Sequence, residues 1–285
     1  MRSLRRRLLA LPPKLGCSVT DVDPGTVLLS RQDGVRVVRL AAGARLVLRP
    51  GQARRHLPEV EKALHRYLVS EHVAWLLRNY RVNCVLDVGA NVGQYARELR
   101  RAGYRGHIAS FEPLPHIVDR LERAAARDPK WSVHPVALGT QDTATTMHVV
   151  QGTMSSILPP SEFGHRRFKR FRDVRSEQIT VRRLDGMLDQ VLDGIDNPRP
   201  YLKLDTQGYD LEAFAGLGAR TGELVGLQSE VALLQIYQDM PRLPQALATY
   251  EAAGFEVTGM FPVTRDPQTG RVLEFDCVMA RPAAL

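Results

Sequence analysis

A chain of 285 residues, 44% of them hydrophobic, can bury one large core, or one core with an appendage. Its net charge of +8 rests almost wholly on Arg and admits a nucleic-acid, phosphorylated or membrane-surface partner without establishing one. No apolar run reaches transmembrane length, and Cys17, Cys84 and Cys277 form no C-x-x-C pair and no metal-like spacing with His, so the plain reading is a chain of the reducing cytoplasm.

The N-terminus, MRSLRRRLLALPPKLG, has the basic front of a signal peptide, but Pro12 and Pro13 cut its apolar stretch short. Arg2, Arg5, Arg6 and Arg7 beside Leu4, Leu8 and Leu9 leave open a peripheral contact with an anionic membrane, although a frayed, solvated end is the plainer expectation. Residues 19–50 alternate with the strand period and predict a small antiparallel sheet. Residues 1–57 therefore read as an appendage, and 58–285 as the main domain.

From Pro58 to Tyr80 the apolar positions recur at helical spacing, predicting one or two helices, on which His65 and His72 lack metal-ligand partners. CVLDVG, HIASFEP and WSVHPVALG then alternate with helix-compatible segments, the pattern of a parallel α/β sheet. Residues 140–200 interrupt it with two β-like runs and a basic loop, read as an insertion. The alternation resumes at YLKLDTQGYD and LVGLQSEVAL, and a helix follows from about Leu243 to Ala253. FEVTGMFPV and RVLEFDCVMAR, joined by a short turn, must be antiparallel. The fold class is thus α/β, a doubly wound, mostly parallel sheet ending in an antiparallel hairpin.

Ligands of such sheets bind at the carboxyl ends of the strands. The turn after the first strand fits neither phosphate-binding pattern, since Asn91 and Gln94 stand where a dinucleotide motif needs glycines and no Gly-Lys pair follows Gly93. Asp87 would repel a pyrophosphate and welcome a cation. Gly89 and Gly93, around Ala90 and Asn91, allow close backbone approach, and the helix start at Gln94 and Tyr95 offers N–H donors to a carboxylate. Glu112, followed by Pro113, suits ribose hydroxyls; Ala137 and Leu138, at the end of the third strand, suit an adenine face. A ribose, an amino-acid head and positive charge without phosphate describe S-adenosylmethionine.

LDVGANVGQYA, SFEP, VALG, SSI, LKLDTQGYD and the closing hairpin, in that order over residues 60–283, resemble the FkbM family of S-adenosylmethionine-dependent methyltransferases. The resemblance implies a class I methyltransferase (Rossmann-like) sheet and O-methylation of a hydroxyl on a sugar, glycolipid or polyketide. Asp210 stands where the family leads one to expect Glu.

On the acceptor side, Lys203, Asp205, Gln207 and Asp210 cluster at one strand end and Glu230 at the next. Asp205 is the candidate base, with Lys203 and Glu230 completing the catalytic set. Alternatively Asp205 and Glu230 hold Mg²⁺, or Asp205 caps a helix while Glu230 pairs with Lys203. Ser155 and Ser156 reach over cofactor or acceptor, or form a plain turn; Gln207, Asp210 and Tyr237 are further candidates for acceptor contact. The basic, Phe-containing run 163–175 reads as an amphipathic lid more readily than as a nucleic-acid surface. The missing [N/D]-P-P-[Y/F] turn after the fourth strand speaks against a nucleic-acid methyltransferase. A hydroxylated small molecule is the expected partner, homo-oligomers stay open, and a non-catalytic cofactor-binding module remains the other alternative.

Overall fold

The computed structural model describes residues 18–23, 26–30, 36–39, 45–48, 57–266 and 268–282. Two compact units divide the chain, Met1–Leu64 and His65–Leu285. The basic N-terminus and Cys17 lie outside the described residues.

In the first unit β1 (Ser18–Asp23) pairs with β2 (Thr26–Ser30), and β3 (Arg36–Arg39) with β4 (Arg45–Leu48), both antiparallel. The single small sheet expected from the alternation is therefore two separate ladders. Each run pairs with its immediate neighbour in sequence, which closes the shortest loop.

Helix α1 (Leu57–Asn79) is one helix, and the part belonging to the second unit buries Val73, Leu76 and Leu77. His72 is a satisfied histidine: its Nε2 meets Thr258 Oγ1 at 3.0 Å. The alternation follows as β5 (Cys84–Val88), α2 (Gln94–Arg101), β6 (His107–Phe111), α3 (Pro115–Ala125) and β7 (Trp131–His134). It resumes with β11 (Pro200–Leu204), α6 (Asp210–Ala215), β12 (Gly226–Ala232) and α7 (Leu243–Ala252), and closes with β13 (Glu256–Arg265) and β14 (Val272–Ala280).

Seven of these strands form one sheet in the order β13-β14-β12-β11-β5-β6-β7. From β7 to β12 neighbours run parallel, whereas β14 runs antiparallel to both β12 and β13, as the closing hairpin requires. Every residue of β5 and β11 is buried, as expected of central strands covered on both faces. The chain leaves β5 toward β6 and later returns to its other side at β11, so the carboxyl ends of β5 and β11 flank the switch in strand order.

Between β7 and β11 lie β8 (Ala137–Leu138), β9 (Thr143–Val149), α4 (Glu162–Arg167), a 3₁₀ turn (Lys169–Arg172), β10 (Arg175–Arg182) and α5 (Leu188–Leu192). WSVHPVALG is thus not one strand. Pro135 has no N–H for the ladder, the Val136 N–H turns back to His134 O at 2.9 Å, and β8 pairs with β10 in a second sheet, β8-β10-β9. The two β-like runs of the insertion pair antiparallel. Phe171 of the basic run is buried beside Val150, Ile236, Tyr237 and Met240, while Lys169, Arg170 and Arg172 stay exposed, so the run is amphipathic. Among the described residues no helix is long and apolar enough to cross a membrane.

Candidate active site

The turn after β5 is held by its neighbours. Gly89 has φ +76°, and a Cβ there would lie 2.0 Å from the carbonyl oxygen of Asp205, so only glycine lets the exits of β5 and β11 touch. The N–H groups of Gly89 and Ala90 donate to Phe111 O at 3.1 and 3.0 Å, and that of Asn91 to Glu112 Oε2 at 3.0 Å. Asn91 (φ 48°) accepts the Val92 N–H on its own Oδ1 at 2.7 Å. The turn itself therefore offers no spare donors. The donors that remain are at the start of α2, Gln94 to Ala96, where a helix leaves its N–H groups without internal acceptors.

Glu112 is buried, and its Oε1 accepts the Leu114 N–H at 3.1 Å. Burial pushes its carboxyl up to about 7, despite these two donors. Each oxygen keeps one acceptor position, the pair that two ribose hydroxyls require.

A row of polar groups crosses the sheet on one face. Ser110, Asp87, Lys203 and Gln228 are register neighbours on β6, β5, β11 and β12. Trp131 Nε1 donates to Ser110 Oγ at 2.9 Å, and Ser110 Oγ to Asp87 Oδ2 at 3.2 Å. Lys203 Nζ lies 3.2 Å from Asp87 Oδ1, 3.5 Å from Asp205 Oδ2 and 5.3 Å above the Tyr95 ring. Tyr95 donates to Gln228 Oε1, and Gln228 Nε2 to Asp276 Oδ1, both at 3.0 Å. Asp87 is 0% exposed, so it is not the open anionic rim that the sequence suggests. Burial raises its carboxyl, partly offset by Lys203. For Lys203 burial alone would lower the ammonium, but Asp205 and Asp87 reverse this and hold it above its ordinary value.

The accessible carboxylate is Asp205, whose side chain is 42% exposed. Gln207, at φ 57°, turns its amide back so that Nε2 donates to Asp205 Oδ1 at 2.9 Å and to Glu230 Oε2 at 3.1 Å. Tyr237 OH lies 3.0 Å from both Gln207 Oε1 and Met154 O. Glu230 stands opposite Asp276 across β12 and β14, and Glu274 opposite Ala232. Burial, then the neighbouring acids, lifts all three carboxyls: Glu274 to about 7, Asp276 to about 6, and Glu230 well above its ordinary range.

Several expected contacts fall elsewhere. Leu138 is buried in the main core and Ala137 packs beside the Leu114–Ile117 cluster, because both belong to the second sheet and not to the end of the third strand. Asp210 is buried and fully engaged: Oδ1 accepts from Thr206 N at 2.8 Å and Thr206 Oγ1 at 2.5 Å, Oδ2 from Ser229 Oγ at 2.7 Å. It fixes the turn. Ser156, 0% exposed, donates to Gln207 O at 2.7 Å, whereas Ser155 closes a turn on Val150. Neither helix capping by Asp205 nor a Glu230–Lys203 pair is present. Gln228, Glu274 and Asp276 were missed. Polar residues at alternate positions of strands otherwise built as apolar runs were the available signal.

Residues 87–257, more than half of the chain, match the family model described as "Methyltransferase FkbM domain". The chain belongs to the FkbM methyltransferase family. As a member it is an S-adenosylmethionine-dependent small-molecule methyltransferase. The FkbM chain is similar to methyltransferase sdnD of Sordaria araneosa, 27% identical over 199 residues that cover 61% of this chain and 74% of that protein. It is also similar in structure to a putative methyltransferase from Thermobifida fusca YX (TM-score 0.46, 12% identity, 78% of this chain and 82% of that one). A second likeness is to magnesium protoporphyrin IX methyltransferase from Synechocystis PCC 6803, a structure with bound S-adenosylmethionine (TM-score 0.43, 13% identity, 81% and 86%).

The residues around the β5 exit fit the family's cofactor: Glu112 retains acceptor positions and α2 opens with free donors. They do not fit Mg²⁺ between Asp205 and Glu230. An amide N–H donor lies between the two carboxylates, and among the described residues no three His, Cys, Asp or Glu side chains converge as metal ligands.

Proposed function

We propose that the enzyme O-methylates a hydroxyl of a sugar, glycolipid or polyketide-type small molecule in the cytoplasm, with Asp205 as general base. The observation that carries this reading is an accessible carboxylate fixed from two sides, by Lys203 Nζ and Gln207 Nε2, directly beside the glycine turn of β5. S-adenosylmethionine, when bound, supplies a methyl group on a positively charged sulfonium, an already activated donor. Glu112 and Pro113 would hold its ribose, and the first turn of α2, Gln94 and Tyr95, its carboxylate.

The chain's own work is then alignment and removal of one proton. Asp205 accepts the hydroxyl proton; Lys203 orients that carboxylate; Gln207 and Glu230 line the acceptor side with Tyr237. Electrostatic matching to a cationic donor rests on the accessible Asp205 in place of buried Asp87.

The test is transfer of labelled methyl from S-adenosylmethionine to a panel of sugars, glycolipid precursors and polyketides. Asp205→Asn should lower kcat about 100-fold or more while S-adenosylhomocysteine binds as in the parent. A variant with full rate removes Asp205 as base. Methyl incorporation into RNA or DNA alone would reverse the choice of acceptor.

A further inference from the structure

The basic run on the insertion is built as a ridge and not as a random charged loop. Phe168, Phe171 and Val174 recur every third residue, the period of the 3₁₀ turn Lys169–Arg172 that contains Phe171, and all three pack into the small core with Tyr237 and Met240. The intervening Lys169, Arg170 and Arg172 are thereby forced outward and exposed. The neighbouring cations are paired, Arg166 with Glu162 and Arg167 with Asp266, but these three have no carboxylate within ion-pair reach among the described residues.

The ridge adjoins the acceptor side. Phe171 and Tyr237 rings are 5.6 Å apart, and Tyr237 OH reaches Gln207, whose amide holds Asp205 and Glu230. Arg170 Nη1 occupies the space that a side chain at Gly152 would fill, 3.0 Å from that glycine's absent Cβ. Gly152 belongs to the same loop as Met154, whose carbonyl meets Tyr237 OH.

We infer that Lys169, Arg170 and Arg172 form a subsite for an anionic group on the acceptor, a phosphate or pyrophosphate carried by the molecule whose hydroxyl reaches Asp205. The inference rests on the function proposed above and narrows its acceptor class. Guanidinium groups match phosphate oxygens in pairs, and three uncompensated cations on a ridge seated on Tyr237, with the accessible Asp205 on the far side of Gln207, set the orientation of a molecule with a hydroxyl at one end and an anion at the other.

The experiment uses the full chain saturated with S-adenosylhomocysteine, titrated calorimetrically with inorganic pyrophosphate at low ionic strength. Saturable binding is expected, weakened at least tenfold in K169Q/R170Q/R172Q and unchanged in R120Q/R123Q, which removes two exposed cations from α3. Methyl transfer should favour a sugar phosphate over the same sugar unphosphorylated by at least tenfold in kcat/KM, a preference the triple variant loses. Equal pyrophosphate binding by parent and triple variant, or no saturable binding, overturns the subsite. So does a single-stranded oligonucleotide that binds more than a hundredfold tighter than pyrophosphate, which would assign the ridge to nucleic acid. Failure to bind S-adenosylhomocysteine in the first step is a failure of the proposed function instead.

Discussion

Gly89→Ala tests whether the contact between the β5 and β11 exits is as tight as the geometry implies. The new methyl carbon would start 2.0 Å from the Asp205 carbonyl oxygen and 2.8 Å from its carbon, both backbone atoms that no rotamer change can move. Relief requires the two strand exits to part by about 1 Å, a small-to-large strain of about 1–3 kcal/mol, added to about 1–2 kcal/mol for alanine at positive φ. Gly103→Ala is the internal control: it shares the positive φ (+93°) but has nothing within 4 Å of its Cβ, so only the backbone part applies. Urea denaturation of the two variants should therefore differ by about 1–3 kcal/mol. Because the displaced atom belongs to Asp205, Gly89→Ala should also lower kcat about 100-fold, the scale for a reacting group misplaced by about 1 Å. Equal losses of stability and rate at positions 89 and 103 would refute the argument.

Gln207→Leu removes the donor shared by Asp205 and Glu230, so kcat should fall about tenfold or more while S-adenosylhomocysteine binds as in the parent; an unchanged kcat would show that the amide does not hold the base in place. Glu274 is buried with its carboxyl up at about 7, so between its unfolded value of 4.5 and 7 the folded chain holds a proton that the unfolded chain has released, and stability falls as pH rises through that window. Glu274→Gln should accordingly stabilise by about 1–3 kcal/mol at pH 8 and by nothing measurable at pH 4, as read from paired urea denaturation curves. EDTA should leave the methyl-transfer rate unchanged, and restoration of a lost rate by Mg²⁺ would require the Gln207 amide to leave its place between the carboxylates.

Much of the fold is legible because its signals are local. The apolar runs CVLDV and PYLKL can only be strands buried on both faces, and a six-residue turn between two β-patterned segments can only give an antiparallel pair. What stays hidden depends on contacts far apart in sequence. Nothing near Asp87 says that Lys203 will neutralise it, nor does anything near Asp210 reveal that Ser229 and Thr206 will use both its oxygens. Pro135 did mark the break between β7 and β8, and the reading of Ala137 and Leu138 as a strand end ignored its missing N–H. The fold gathers the candidate residues at the strand ends; their accessibility was not foreseeable, since one carboxylate of a cluster is exposed only when others occupy its interior.

Lys203 links that interior to the site. Five carboxylates, Asp87, Asp205, Glu230, Glu274 and Asp276, gather around the ends of β5, β11, β12 and β14, and Lys203 is the one ammonium in contact with any of them among the described residues. The imbalance is tolerable because Glu230, Glu274 and Asp276 retain protons more readily than ordinary acids, which removes charge where no cation is at hand. Asp87 is the acid that Lys203 pairs from within: loss of the ammonium would leave a fully buried carboxylate with only Ser110 as donor, a defect of about 3–5 kcal/mol. The same loss would release Asp205 Oδ2 at the surface of the site. A Lys203→Met variant that is inactive therefore reports on folding and on base orientation together, and only Asp205→Asn, which leaves the Asp87–Lys203 pair intact, isolates the proton-accepting step.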